Sequence, residues 1–318
     1  MNIHSGHSAV DVDRLEKKFG NFTAVNKITF SVKKGEIFGF LGPNGAGKST
    51  TIRMLCGIIA PTSGSGHVNG LDIVREQEQI KQNIGYMSQK FSLYNDLTVE
   101  ENINFYAGIY RIPAQKRKER RDWVIAMAGL GEHYNKLTRT LSGGWKQRLA
   151  LGCAIIHEPR IVFLDEPTSG VDPLARRTFW ELIKTLANGG VTVFVTTHYM
   201  DEAENCDRIA LIYNGEIIAS GTPAELKTDF MKEDVLQVLV PQPEIWLERL
   251  KAATGVKETA LFGTAIHAVS SAAEKSISAI KEMFLKETIK DYNLKKIQPS
   301  LEDVFVSLIE AHDHRRTP

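Results

Sequence analysis

Long apolar runs are missing from this chain. No segment approaches the roughly 20 consecutive apolar residues that a membrane-spanning helix requires, so any work at a bilayer calls for a spanning partner on another chain. Cysteine is scarce as well. Cys56, Cys153 and Cys206 are scattered, odd in number and without metal or redox spacing, which excludes a disulfide framework and predicts a reduced, cytoplasmic setting. An excess of either charge is lacking too: 39 Lys and Arg face 38 Asp and Glu, so no global basic field points to nucleic acid. The start of the chain, Met1 to Val10, has no basic segment followed by an apolar core, and no signal peptide is predicted. At 318 residues the chain has room for about two domains and a large core.

What is present is concentrated in one stretch. The apolar run Ile37-Phe38-Gly39-Phe40-Leu41 leads into Gly42-Pro43-Asn44-Gly45-Ala46-Gly47-Lys48-Ser49-Thr50, the phosphate-binding P-loop pattern with a strand before it and a helix after it. Glycines allow backbone NH groups to turn around one anion, and the helix dipole adds its positive end. A triphosphate fits there, with Lys48 reaching the outer phosphates and Ser49 offering its hydroxyl to magnesium. The competing reading is a glycine-rich connection with no ligand.

Upstream, Val10 to Gly35 reads as two strands joined at Phe19-Gly20-Asn21. Phe19 is spaced to lie against an adenine, where stacking needs little base specificity; an ordinary core phenylalanine is the alternative. Downstream, Gly64-Ser65-Gly66 and Asn69-Gly70 predict tight turns around a short strand containing Val68. Ile84 to Met87 predicts a strand, followed by Gln89, whose amide oxygen could meet magnesium or the attacking water. Thr98 and Glu101 form a capping box that opens a helix through about Ile109. A second helix carries Trp123, Val124 and Met127, and its basic run Lys116 to Arg121 reads as a solvated face.

Ser142-Gly143-Gly144 opens a further helix and so makes a second anion-binding helix end. Ile161 to Leu164 reads as a strand buried on both faces, delivering Asp165 to hold magnesium and Glu166 to accept a proton from water. Val191 to Val195 is a second such strand, ending near His198, which can reach a terminal phosphate. Asn214-Gly215 marks a hairpin. Beyond about Asp229 the order β-α-β-β-α-β predicts the split βαβ arrangement. Ser300-Leu301-Glu302-Asp303 then caps a last helix, whose apolar stripe either covers that small sheet or meets a second subunit.

From about residue 10 to residue 223 these motifs, in this order, resemble the ATP-binding subunits of ABC transporters. The resemblance implies an α/β fold. An ABC-type P-loop NTPase domain, with a mixed sheet core, an antiparallel β subdomain and a helical subdomain at about 90–158, would occupy residues 1–228. A small α+β ferredoxin-like accessory or regulatory domain would occupy 229–318. It also implies roles: Phe19 stacks on adenine, Gly42 to Thr50 form Walker A, and Gln89 is the Q-loop glutamine. Ser142, Gly143 and Gly144 are the signature, Asp165 and Glu166 the Walker B aspartate and catalytic glutamate, Asp172 the D-loop aspartate and His198 the switch histidine. In this family two cassettes pair head to tail, so the signature of one closes over ATP on the other, which answers the second anion site. The expected ligands are ATP and Mg2+. The expected partners are a polytopic membrane permease and a second ATP-binding subunit, an identical copy, at the cytoplasmic face of the inner or plasma membrane; no nucleic acid is expected. Phe91, Leu93 and Tyr94 are expected to contribute to the permease-docking surface. Trp145 stands where the general pattern has glutamine near the ribose, so that contact does not carry over. Pro299 to Phe305 resembles the C-terminal extension of daunorubicin-resistance-type exporter ATPases, which favours export over the importer and soluble (translation or DNA repair) branches.

Overall fold

A computed structural model describes residues 8–90, 92–231 and 233–316. The signal-peptide expectation thus lies in large part outside the described residues, as does the docking role of Phe91. The chain forms two compact units, one ending at Pro223 and one starting at Ala224.

In the first unit, β1 (Ser8–Phe19) and β2 (Phe22–Lys33) form a long hairpin, followed by β3 (Ile37–Leu41), α1 (Lys48–Leu55), β4 (Ser63–Val68), β5 (Leu71–Asp72), α2 (Gln77–Asn83) and β6 (Ile84–Met87). Helices α3 (Val99–Ile109), α4 (Ala114–Ala128) and α5 (Gly143–Ile155) share an apolar core of their own. Then come β7 (Ile161–Asp165), α6 (Pro173–Asn188), β8 (Thr192–Thr197), β9 (Arg208–Tyr213) and β10 (Glu216–Gly221).

One sheet is antiparallel, in the order β2-β1-β4-β5. The other runs β10-β9-β3-β8-β7-β6 and is parallel except at the β9–β10 hairpin. Every residue of β3, β7 and β8 is buried, as strands covered on both faces require. Their carboxyl ends therefore converge on one edge, where polar side chains can meet. A cluster of stacked and tilted rings, Phe30, Phe38, Phe40 and Phe194, ties β2 to this sheet.

The Thr98 capping box is formed in full: Thr98 Oγ1 accepts from the Glu101 amide at 3.2 Å, and Glu101 accepts from the Thr98 amide at 2.8 Å. Two expectations are corrected. Gly64-Ser65-Gly66 is not a turn but part of β4, because pairing of Ser65 with Asp13 and Gly66 with Val12 overrides the local turn preference. The basic run is not wholly solvated, for Arg120 is buried, with Nε donating to the Ile156 carbonyl and Nη1 paired to Glu158 at 2.9 Å.

A helix α7 (Pro223–Phe230) leads into the second unit, which orders β11 (Asp234–Leu239), α8 (Pro243–Lys251), β12 (Val256–Phe262), β13 (Ala265–Ser270), α9 (Ala273–Lys286), β14 (Asn293–Ile297) and α10 (Leu301–Arg316). The sheet order is β12-β13-β11-β14, all neighbours antiparallel. Leu236 and Val238 pack with Trp246, Ile280 and Phe284 of α8 and α9, while Val235 packs with Val304 of α10. The apolar stripe of α10 thus covers the other face of the small sheet. Its start is pinned by Asp303, which accepts from the Ser300 amide at 2.7 Å and lies 2.7 Å from His267 Nδ1.

On this α10-covered side Glu258 of β12 is pushed up to about 7 by burial, by its hydrogen bond with Glu310 and by the charges of Glu310 and Glu233, against a smaller opposing effect of Lys251. Unfolded, the group titrates near 4.5. The stability it contributes is therefore complete below that value and lost as pH rises through about 7. Burial opposes but does not prevent the lowering of Asp303 by His267 and Ser300, and that effect falls in more acidic solution. Amide exchange in β12 and α10, corrected for intrinsic rates, is expected to be slower at pH 5.5 than at pH 8, and Glu258→Gln should flatten the difference. Equal pH dependence in the variant would show that Glu258 is not its source.

Candidate active site

The segment Gly42 to Gly47 folds tightly because its glycines occupy positions other residues cannot. A Cβ on Gly42 would lie 2.1 Å from the Ile212 carbonyl oxygen, and Gly47 has φ 107° at the start of α1. This brings Lys48 under the loop, with Nζ donating to the carbonyls of Gly42 at 2.7 Å and Pro43 at 3.0 Å. Lys48 is only 4% exposed, and Nζ sits 3.1 Å from Glu166 Oε1.

The carboxyl ends of β7 and β8 meet α1 at the same edge. Ser49 Oγ donates to Asp165 Oδ1 at 3.0 Å, and Thr196 Oγ1 donates to the same oxygen at 2.8 Å. Glu166 takes the left-handed conformation, φ 47°, held by its amide donating to the Thr196 carbonyl at 3.1 Å. A non-glycine residue there costs about 1–3 kcal/mol, and such strain gathers at functional sites. Its other oxygen, Oε2, accepts from Gln89 Nε2 at 3.0 Å and lies 3.3 Å from His198 Nδ1. Lys48, Ser49, Gln89, Asp165, Glu166 and His198, spread over the sequence, are thereby brought into one cluster.

These residues fit a magnesium nucleotide. Ser49 and Asp165 present hard oxygen donors side by side, the type magnesium takes. Burial, first of all, raises the Asp165 carboxyl, and the charge of Glu166 adds to this, while hydroxyls of Thr196 and Ser49 and the charge of Lys48 oppose it. A divalent cation would stabilise that anion. His198 Nδ1 is buried and makes no hydrogen bond.

The remaining expected residues make other contacts. Phe19 ends β1 half exposed, with Lys17 Nζ 5.1 Å from its ring centre. Asp172 caps α6 by accepting from the Ala175 amide at 2.9 Å. Ser142 precedes α5, whose first turn borders α6: a Cβ on Gly144 would lie 2.8 Å from Ala175 Cβ. Trp145 packs within the helical layer, between His133, 4.3 Å between ring centres, and the Arg148 guanidinium. Sequence reading missed Thr196, which orients both acids. The signal for it was a pair of hydroxyl residues, Thr196-Thr197, closing a strand after the apolar run Val193 to Val195.

Comparison with known proteins agrees with this geometry. Residues 25–169 match the family described as ABC transporter. The chain is 51% identical over 229 residues to the probable multidrug ABC transporter ATP-binding protein YbhF of Escherichia coli, a match covering 72% of this chain and 40% of that protein. It is 37% identical over 303 residues to the linearmycin resistance ATP-binding protein LnrL of Bacillus subtilis, covering 94% of this chain and 97% of that one. To the daunorubicin resistance ATP-binding protein DrrA3 of Streptomyces coeruleorubidus it is 37% identical over 223 residues, 70% of this chain and 71% of the other. Among solved structures, a dimeric post-hydrolysis state of the ATP-binding cassette MJ0796 bound to ADP and Pi superimposes with a TM-score of 0.61 at 28% identity, covering 67% of this chain and 98% of that one. A phosphate-binding loop, paired acids at a buried strand end and a relative that aligns along nearly its whole length leave one assignment: this chain belongs to the ATP-binding subunits of ABC transporters and carries their ATPase domain.

Proposed function

We propose that this subunit binds and hydrolyses ATP to drive export of a small molecule, drug, lipid or glycan through a separate polytopic permease. The observation that carries the chemistry is the Glu166 carboxylate, flanked by Lys48 on one oxygen and by Gln89 and His198 on the other. An arriving polyanion competes with Glu166 for Lys48, which frees that carboxylate oxygen to meet water. Glu166 then takes a proton from the attacking water as water adds to the terminal phosphorus in line with the departing ADP. Lys48 meets the developing charge, His198 holds the terminal phosphate and Gln89 orders the water. Magnesium, held by Ser49, Asp165 and Gln89, would supply charge neutralisation on the phosphates. Gly42 to Thr50 wrap the phosphates and Phe19 stacks on the base.

Two cassettes are needed in this reading. Ser142, Gly143 and Gly144 stand at the start of α5, and they serve a second, identical subunit in a head-to-tail pair with Asp172 at the seam. The dimeric MJ0796 cassette supports that pairing. Export is favoured by the resistance proteins among the relatives. No helix among the described residues is long and apolar enough to cross a membrane. In this reading the permease is another chain, met from its cytoplasmic face through a surface that includes Leu93 and Tyr94.

The test is a pull-down from detergent-solubilised native membranes, with Glu166→Gln and MgATP holding the closed pair. A co-purifying polytopic exporter chain is the expected result. An importer permease would redirect the transport direction, and ribosomal or repair proteins without any membrane chain would overturn the transporter role.

A further inference from the structure

We infer that Arg176 and Tyr199 are positioning residues that fix His198 and Glu166 relative to each other, through a closed ring of contacts behind the reactive edge. The inference rests on the reading of Glu166 as base and His198 as phosphate contact, and it adds residues that none of the motifs includes.

The ring can be followed contact by contact. His198 Nδ1 lies 3.3 Å from Glu166 Oε2. The imidazole sits against the next residue in sequence, Tyr199, with ring centres 4.1 Å apart. The other partner of the Tyr199 ring is the Arg176 guanidinium, 4.1 Å from its centre. Arg176 Nε lies 3.5 Å from Glu202 Oε1, and its Nη1 is 3.8 Å from Asp201. The same Glu202 oxygen accepts from Thr168 Oγ1 at 2.5 Å. Thr168 belongs to the turn that begins at Glu166, where the Ser169 amide donates back to the Glu166 carbonyl at 3.2 Å. The path thus returns to the carboxylate where it started.

Burial makes this ring costly to open. Glu202 is 2% exposed and Thr168 is 1% exposed, so the Glu202 charge depends on Arg176 and on the Thr168 hydroxyl. Arg176 places its guanidinium 4.1 Å from the Tyr199 ring centre and keeps Nε within 3.5 Å of Glu202, two contacts that the broad guanidinium serves better than a lysine ammonium. Arg176 stands one turn into α6, whose start is fixed by the Asp172 cap and by Pro173. The Tyr199 amide donates to Thr197 Oγ1 at 3.0 Å, which ties the same tyrosine to the end of β8. The ring therefore connects the turn after β7, the turn after β8 and the first turn of α6, the three segments that carry Glu166, His198 and Asp172. A displacement of about 1 Å at a reacting group can cost 10²-fold in rate, and a ring of this kind resists such a displacement.

The test is steady-state ATP hydrolysis by the full chain, alongside equilibrium binding of a fluorescent N-methylanthraniloyl ATP and thermal melting. Tyr199→Leu is expected to lower kcat by about 10- to 100-fold with nucleotide affinity and melting temperature little changed, whereas Arg176→Ala should lower kcat to a similar extent and also lower the melting temperature, because it leaves the buried Glu202 without its cation. Tyr199→Phe keeps the ring and should restore kcat to within about 3-fold, a rescue that rests on ring contact alone. Arg176→Lys keeps the charge without the guanidinium and should fall between. In a His198→Ala background, Arg176→Ala should add a smaller loss than it causes in the unaltered chain, since residues coupled through one group are not additive. Full turnover by Tyr199→Leu, or equal losses from Arg176→Ala in both backgrounds, would overturn the inference while leaving the roles of Glu166 and His198 intact. Full turnover by His198→Ala would overturn those roles and this inference together. Should Arg176→Ala fail to fold, the Tyr199→Leu and Tyr199→Phe pair decides alone.

Discussion

Glu166→Gln is expected to bind nucleotide with affinity close to that of the unaltered chain while turnover falls by about 10²- to 10⁴-fold, the usual worth of a general base. That range corresponds to roughly 3 to 5 kcal/mol of barrier. The substitution keeps the size of the side chain and its placement in a strained turn, and its single amide oxygen can accept from Lys48 or from Gln89, though not from both. What it removes is the capacity to take a proton from water. Lys48 keeps its carbonyl partners, Gly42 and Pro43, so the phosphate loop has no reason to reorganise. Phosphate release measured in single turnover, beside binding of the fluorescent nucleotide, separates the two quantities. Hydrolysis at the original rate by this variant would remove Glu166 from the mechanism and leave proton transfer to another group.

Much of this site could be read in one dimension because its parts are short and their local physics is strong. The apolar strand into Gly42, the two carboxylates closing Ile161 to Leu164, and the Asn214-Gly215 hairpin each announce themselves within a few residues. The turn at Asn214 and Gly215, both with positive φ, needs those residue types and no tertiary help. The same holds for the Thr98 capping box. What escaped reading depends on distant partners. Thr196 meets Asp165 across 31 positions of sequence, and only the pairing of β7 with β8 in register brings them together. Arg120 looked like one of several surface cations, yet burial beside the end of α5 makes it structural. Gly66 looked like a turn until pairing with β1 extended it. Helix α2 gives little apolar signal, since Ile80 is its one buried residue, and its identity comes from what surrounds it. The ring through Arg176, Tyr199 and Glu202 was hidden for the same reason: each member alone is an ordinary helix or loop residue.

Lys48→Ala should act on two quantities at once, and a second substitution tells them apart. In the intact chain the ammonium lies among two carbonyls and the Glu166 carboxylate, with Lys48 4% and Glu166 7% exposed. Removing it takes away the cation that meets the outer phosphates, an interaction of the charge-assisted kind worth about 1.5–3 kcal/mol, so nucleotide affinity should fall by roughly 10- to 100-fold. It also strands Glu166 as a buried carboxylate without its cation. Breaking a buried pair from one side costs about 3–5 kcal/mol, so the nucleotide-free variant should melt at a lower temperature. Gln89 and His198 remain beside Glu166 and offset part of that loss, which puts the expected destabilisation at the lower end. Adding Glu166→Gln to Lys48→Ala neutralises the stranded group and should recover most of the melting temperature, because no buried charge is left unpaired. It should recover none of the affinity, because the phosphates still lack their cation. Recovery of both would mean that Lys48 acts on nucleotide only by keeping the loop folded. Recovery of stability alone assigns the ammonium to the phosphates and the ion pair to the resting state of the site.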